Sequence, residues 1–300
     1  MMDARNIVET HGGTWYGRYG TMPCPCCQPE GRKDQTALTV TDGIETLLLN
    51  CKKSFCEFEA LLAALGLSGD AWSPPDPTIA AKRQADEHAR AKKKAAQAQM
   101  LYVEAMPLEG TLGEHYLRRR GIRASLPASL RFHPNCYHSP SAKRFPAIVG
   151  AVTHLSGSGM PSVHRTFLNI DGTGKIEHET NKMMLGGTKG GCVRLSDGSG
   201  PLVASEGIET GLSLLSGLLS VSDATVVATL STSGMRSLTL PRELGKLIIA
   251  PDGDEPGREA AVALGMRASA MGWDVELLPC PAGCDFNNLL QMQQQQRGAA

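Results

Sequence analysis

The sequence predicts an α/β protein. Its last third should form a mainly parallel sheet, preceded by a small cysteine-rich module and a mixed α+β middle region. Two observations carry this. From about residue 201 to 292, apolar strand-like runs alternate with helix-like runs, the pattern of parallel strands joined by crossover helices. Five of the nine cysteines crowd between positions 24 and 56, behind a start that lacks a signal-peptide core, so they point to a metal rather than to disulfides. A length of 300 residues suggests two or three domains, and 41% apolar residues suffice for their cores. Thirty basic residues balance thirty acidic ones, so any anion-binding surface must arise from local segregation of charge. The longest apolar stretches, such as 212–221, are interrupted by Ser and Gly and are too short to span a bilayer. A soluble, cytosolic protein without a membrane partner is expected.

Taken in order, residues 1–70 are short, cysteine-rich and turn-rich. WSPPDP at 72–77 reads as a linker, because three prolines in six residues oppose both helix and sheet. Residues 78–105 lack Gly and Pro and are rich in Ala, Lys, Gln and Glu, which predicts one helix. Between 82 and 94 it carries six Lys/Arg (82, 83, 90, 92, 93, 94) against Asp86 and Glu87. That run suits a solvated helix face or a contact with a nucleic-acid backbone. Residues 71–106 are thus a linker and basic helix. Residues 107–200 form a separate region, with a helix at 112–120 and the β-like runs FPAIVGAVTHL, SVHRTFL and GCVRL between turn signals. Residues 201–292 are the α/β domain. The glutamine-rich end, 293–300, is expected to be a disordered tail.

Cys24 and Cys27 form a C-x-x-C knuckle, and Cys51 and Cys56 follow in CKKSFC. Two thiolate pairs separated by the β-rich runs TALTV and TLLLN predict a zinc ribbon, in which the strands bring both turns to one tetrahedral Zn²⁺. Cys26 competes with Cys27 for the first pair. Four protein ligands leave no open position, so the zinc is structural and supplies folding energy to a segment with little core.

The strings VASEGIETGLSL and IIAPDGDEPGREAA hold the second set of ligands. In each an apolar strand ends in an acidic residue beside a glycine, and a helix follows. Glu206, Asp252 and Asp254 therefore project from the carboxyl edge of the sheet, where open α/β folds place their ligands. Carboxylates converging there suit Mg²⁺ or Mn²⁺, which can stabilise charge during an in-line phosphoryl displacement.

This combination resembles the Toprim domain shared by DnaG-type primases, topoisomerases and RecR-type recombination mediators. Asp285, in CDFNNLL, resembles the family's later acidic position, with Cys284 and Asn288 standing where a Lys and a second carboxylate are common. Glu209 is either a further metal contact or an exposed helix residue. Upstream, the four-cysteine module resembles the zinc finger of primases, and HYLRRRGI, LRFHP, VHRTFL and NKMMLGGTKGG resemble the region preceding Toprim in phage- and plasmid-borne primases. The resemblance implies a metal-dependent nucleotidyltransferase that synthesises primers on single-stranded DNA from nucleoside triphosphates. It gives Glu206, Asp252 and Asp254 the catalytic role, and it implies that Arg165, Lys182 and Lys189 line one face opposite the metal site and bind template or nucleotide phosphates. GGTKGG lacks the spacing of an ATPase phosphate loop, so a replicative helicase is expected as a separate partner. The alternatives are a non-catalytic RecR-like mediator and a Toprim nuclease.

Overall fold

The computed structural model describes residues 3–298 apart from 33, 44–45, 68–76, 158, 160 and 222. Of the expected linker at 72–77, residues 72–76 lie outside the described residues and Pro77 begins a helix. The chain divides into two compact units, 1–89 and 90–300.

In the first unit, α1 (Ala4–Thr10) precedes β1 (Thr14–Trp15), β2 (Gly20–Met22), β3 (Leu38–Asp42) and β4 (Leu47–Cys51), and α2 (Phe58–Ala64) closes the module. The strands form an antiparallel sheet in sequence order. Ile7 and Val8 of α1 and Leu61 of α2 bury against Met22, Leu38, Val40 and Leu47. Cys24 and Cys51 sit in this same small core.

The long helix α3 (Pro77–Glu104) follows. In its last turns Ala98, Leu101 and Tyr102 pack on Val149 and Val163. The middle of the chain is an antiparallel sheet of β5 (Met106–Pro107), β6 (Leu130–His138), β7 (Lys143–Val152), β8 (Ser162–Phe167) and β9 (Lys182–Leu185), with α4 (Leu112–Arg119) inserted after β5. Thr111 caps α4 by accepting from the amides of Gly113 and Glu114.

The last part contains β10 (Val193–Arg194), β11 (Leu202–Ser205), α5 (Ile208–Ser213), β12 (Thr225–Ala228), α6 (Thr232–Ser237), β13 (Lys246–Ala250), α7 (Glu255–Ala270), β14 (Asp274–Leu277) and α8 (Phe286–Gly298). Its sheet runs β10-β12-β11-β13-β14. The four longer strands are parallel, and β10 pairs antiparallel to β12. The α/β fold expected from strand–helix alternation is the one observed. No described helix is long and apolar enough to cross a membrane.

The sheets on either side of residue 200 share one core, where Leu117, Leu130, Phe132 and Ile148 pack with Val203, Ile208, Leu212 and Val226. One expectation changes. The tail expected to be disordered from 293 instead continues α8 to Gly298. Leu290 is buried beneath it, and Gln294 donates to the Gly121 carbonyl at 2.7 Å. A polar glutamine run folds here because one face finds partners.

Candidate metal centres

The ligand atoms of Cys24, Cys27, Cys51 and Cys56 all lie within 4.8 Å of one another. Cys24 Sγ stands 3.8 Å from Cys56 Sγ, and Cys27 Sγ 3.6 Å from Cys51 Sγ. Thiolates at ~2.3 Å from a tetrahedral zinc are separated by about 3.8 Å, so the cluster fits that ion and is too open for disulfides. Burial works against a Cys51 thiolate, but the amides of Ser54, Cys56 and Lys53 outweigh it and bring its thiol down to about 6. Cys26 is exposed and its thiol points to the Ala60 carbonyl. Cys27 is therefore the member of the set.

The second centre is built by strand register. Ser205 pairs with Ala250 across β11 and β13, so the chain leaves both strands at one level. Glu206 and Asp252 emerge side by side there. The Asp252–Asp254 turn is clamped from behind: Gly253 donates to the Cys284 carbonyl at 2.8 Å and accepts from Gly283 at 3.1 Å. A Cβ on Gly253 would stand 1.9 Å from the Pro281 carbonyl oxygen, so only glycine fits. Asp254 caps α7 by accepting from Gly257 N at 2.8 Å. Leu230, held at φ +74°, donates to the Glu206 carbonyl at 2.7 Å and fixes the other side.

These oxygens gather around Gly257. A Cβ there would meet the Asp252 carbonyl and Asp254 Oδ1 at 2.8 Å and Glu206 Oε2 at 3.1 Å. Glycine keeps this cradle open. Glu206 Oε2 is buried without a hydrogen-bond partner among the described residues. Burial, then the charges of Asp252 and Asp254, pushes the Glu206 carboxyl up to about 7. Asp252 is also raised, by burial and by the charges of Asp285 and Asp254, while the Thr210 hydroxyl opposes this from 2.9 Å. A carboxylate oxygen without a donor, beside two like charges, suits a divalent cation, which removes both penalties. The carboxylates are not drawn together as tightly as the cysteines, which form the only group within 4.8 Å among the described residues. Oxygens bound directly to one Mg²⁺ at about 2.1 Å lie closer together than that, so such an ion would take some of these carboxylates directly and reach the others through waters, which it keeps readily.

The remaining expected residues are distributed unevenly. Asp285 Oδ1 accepts from Asn288 N at 2.7 Å and Asn288 Oδ1 accepts in return from Asp285 N at 3.0 Å, a capping pair at the start of α8. Its charge nevertheless reaches Asp252. Lys182 is exposed at the start of β9, and its charge acts on Glu206, Asp252 and Glu209. Lys189 lies in the exposed turn after β9, next to Gly190, whose carbonyl binds Thr239. The expectation that Arg165 shares the face of Lys182 needs correction. Lys182 pairs with Thr166, the neighbour of Arg165, and successive strand residues face opposite sides. Arg165 turns toward Phe167 and binds the carbonyls of Tyr137 and Met184, both at 3.3 Å. Glu209 is neither exposed nor directed at the carboxylates, because Tyr116 and Lys175 hold it.

Thr210 was missed; the signal was its place in the first turn of the helix that opens just after Glu206, at the same edge of the sheet. Tyr116 and Lys175 carry no such local signal.

Residues 201–296 match the family model of the Toprim domain, and residues 92–195 match a domain of unknown function, DUF7146. The chain therefore carries a C-terminal Toprim domain with a four-cysteine cluster, fit for zinc, near its start. No curated protein matches it. Among solved structures, it is similar to the Aquifex aeolicus primase (zinc-binding and RNA polymerase domains) at 14% identity and TM-score 0.43, covering 99% of this chain and 82% of that one. A DNA primase domain from Pseudomonas aeruginosa has 14% identity and TM-score 0.40, covering 68% and 77%. The primase fragment of the bacteriophage T7 primase-helicase protein has 13% and 0.38, covering 65% and 72%.

Proposed function

We propose that this protein is a metal-dependent nucleotidyltransferase of the primase type, making short primers on single-stranded DNA during plasmid- or phage-type replication. The observation that carries the reading is the buried, partnerless oxygen of Glu206 between Asp252 and Asp254 in a Toprim domain. Glu206, Asp252 and Asp254, with Asp285 behind them, hold Mg²⁺ or Mn²⁺. The bound cation supplies charge stabilisation for the attacking 3′-hydroxyl and the departing pyrophosphate. Lys182, and Lys189 further along, bind the phosphates of nucleoside triphosphate or template, offsetting charge that the carboxylates alone would repel. Arg165 has no part in this, since its guanidinium is engaged on the other face of β8. Zinc held by Cys24, Cys27, Cys51 and Cys56 shapes a module that contacts the template. A separate replicative helicase supplies unwinding.

The test is incubation with single-stranded DNA, labelled nucleoside triphosphates and Mg²⁺ or Mn²⁺. Oligonucleotide products that vanish in Asp252→Ala/Asp254→Ala support the reading. DNA shortening without synthesis would replace it with a nuclease, and binding without either reaction would replace it with a mediator.

A further inference from the structure

Three side chains from separate segments of the second unit meet outside the carboxylate cluster. Glu209, in the first turn of α5, receives the Tyr116 hydroxyl from α4 and Lys175 Nζ at 2.7 Å. The Lys175 and Glu209 side chains are only 22% and 15% exposed. Burial by itself would raise the Glu209 carboxyl, yet Lys175 and Lys182 outweigh it and hold the group below its usual value. An ion pair this enclosed is costly to break from one side, because the survivor is left buried and unpaired.

Lys175 belongs to the connector between β8 and β9. That connector folds on itself: Lys175 bridges Leu168, Asn169 N donates to the Gly174 carbonyl at 2.8 Å, and Ile176 N to the Phe167 carbonyl at 3.1 Å. It then runs into Lys182, the first residue of β9. Among the described residues β9 pairs with β8 alone, and its leading end is held by Phe167 N on the Asn181 carbonyl at 2.9 Å, by His138 Nε2 on the Thr180 carbonyl at 3.0 Å and by what anchors the rest of the connector. The Lys175–Glu209 pair joins that connector to α5, the helix that begins just after Glu206. Beside the pair is a cavity of ≈ 20 Å³ lined by Tyr116, His164, Thr166, Lys182 and Glu209, room for about one water. His164 Nδ1 is buried there without a partner among the described residues.

We propose that Lys175, held on Glu209 and Tyr116, is a positioning residue that fixes Lys182 over the carboxylates Glu206 and Asp252. This rests on the reading of those carboxylates as a nucleotidyl-transfer site. Lys182 lines the same cavity as Glu209 and as Gly207, the residue after Glu206, and its charge acts on Glu209, Glu206 and Asp252 alike. Loss of the Lys175 anchor lets the start of β9 drift, and Lys182 no longer meets an incoming phosphate in one place.

The experiment compares the full chain with Lys175→Arg, Lys175→Met and Lys175→Met/Glu209→Gln, the double variant leaving no buried charge unpaired. Hydrogen–deuterium exchange reads the anchor without requiring activity. Residues 169–185 are expected to exchange about tenfold faster in both Met variants, with β7 and β13 unchanged and Lys175→Arg close to wild type. Unchanged exchange in 169–185, or an equal rise across the whole unit, overturns the proposal. In the primer assay, the nucleotide KM is expected to rise about tenfold in the Met variants with kcat within about twofold, the signature of lost binding rather than lost chemistry. A fall in kcat at unchanged KM also overturns it. A wild type that makes no primer strikes the proposed function, while the exchange result still decides the anchor.

Discussion

The Thr210 hydroxyl donates to Asp252 Oδ1 at 2.9 Å, linking the first helix after β11 to the acidic turn after β13. The bond favours the ionised carboxylate against burial and the neighbouring charges of Asp285 and Asp254. Thr210→Val keeps the shape and removes the donor. Asp252 then holds its proton to higher pH, so the pH at which Mn²⁺ binding is half-maximal moves upward. Titration of Mn²⁺ affinity against pH in the two proteins checks this.

Glu206 links pH to stability. Its folded carboxyl sits at about 7, above the 4.5 of an ordinary glutamate. Between those values the folded state binds more protons than the unfolded one, so metal-free stability falls as pH rises through this window. Glu206→Gln removes the penalty and raises the metal-free Tm at pH 8 by about 2–4 °C for each kcal/mol relieved. Mg²⁺ should stabilise the wild type at pH 8 and have little effect on the variant. Calorimetry with and without Mg²⁺ measures both.

Gly257 is the smallest part of the carboxylate cradle and the easiest to fill. In Gly257→Ala the new methyl meets Asp254 Oδ1 and the Asp252 carbonyl at 2.8 Å. Activity is expected to fall about 100-fold, the effect of an ångström-scale displacement at a reacting centre. Alanine also suits a helix better than glycine, so far-ultraviolet circular dichroism should stay unchanged. Loss of helix with loss of activity would indicate a folding defect instead.

Asp285 separates capping from charge. Asn caps a helix as well as Asp does, so Asp285→Asn keeps the start of α8 and removes one negative charge felt at Asp252. The Tm is expected to change by less than about 2 °C. Mg²⁺ affinity should fall about tenfold, as loss of one outer partner of a metal site does. Metal titration and thermal melts distinguish this from a purely capping role.

The zinc cluster makes folding of the first module depend on metal. Cys51→Ser is expected to lower bound zinc from one per chain to none and to unfold residues 1–67, because the module's small core cannot replace the ligand energy. Metal analysis and limited proteolysis check it, with the Toprim portion remaining resistant.

Which parts of this were legible in the sequence follows from their range along the chain. Glu206 and Asp252 end apolar strands, so local pattern alone placed them at the sheet edge. The cysteine pairs were legible because each pair is local and the intervening strands are short. Arg165 was misplaced because the period of two shows that neighbours alternate but not which face is turned to which layer. That depends on α3 packing through Leu101 and Tyr102 against β7 and β8. The Glu209–Lys175–Tyr116 group was invisible for a related reason, since Tyr116 lies 93 residues from Glu209. The end of α8 read as disordered because its stabilising contacts, such as Gln294 with Gly121, are still more distant in sequence.

The role proposed for Glu206, Asp252 and Asp254 is to hold the cation used in nucleotidyl transfer. Mn²⁺ binding to zinc-loaded protein, followed by electron paramagnetic resonance, addresses it without depending on template or nucleotide. Wild type should bind Mn²⁺, and Asp252→Ala/Asp254→Ala should lose that binding while keeping one zinc per chain and its Toprim fold. A folded double variant that binds Mn²⁺ as wild type does would contradict the account.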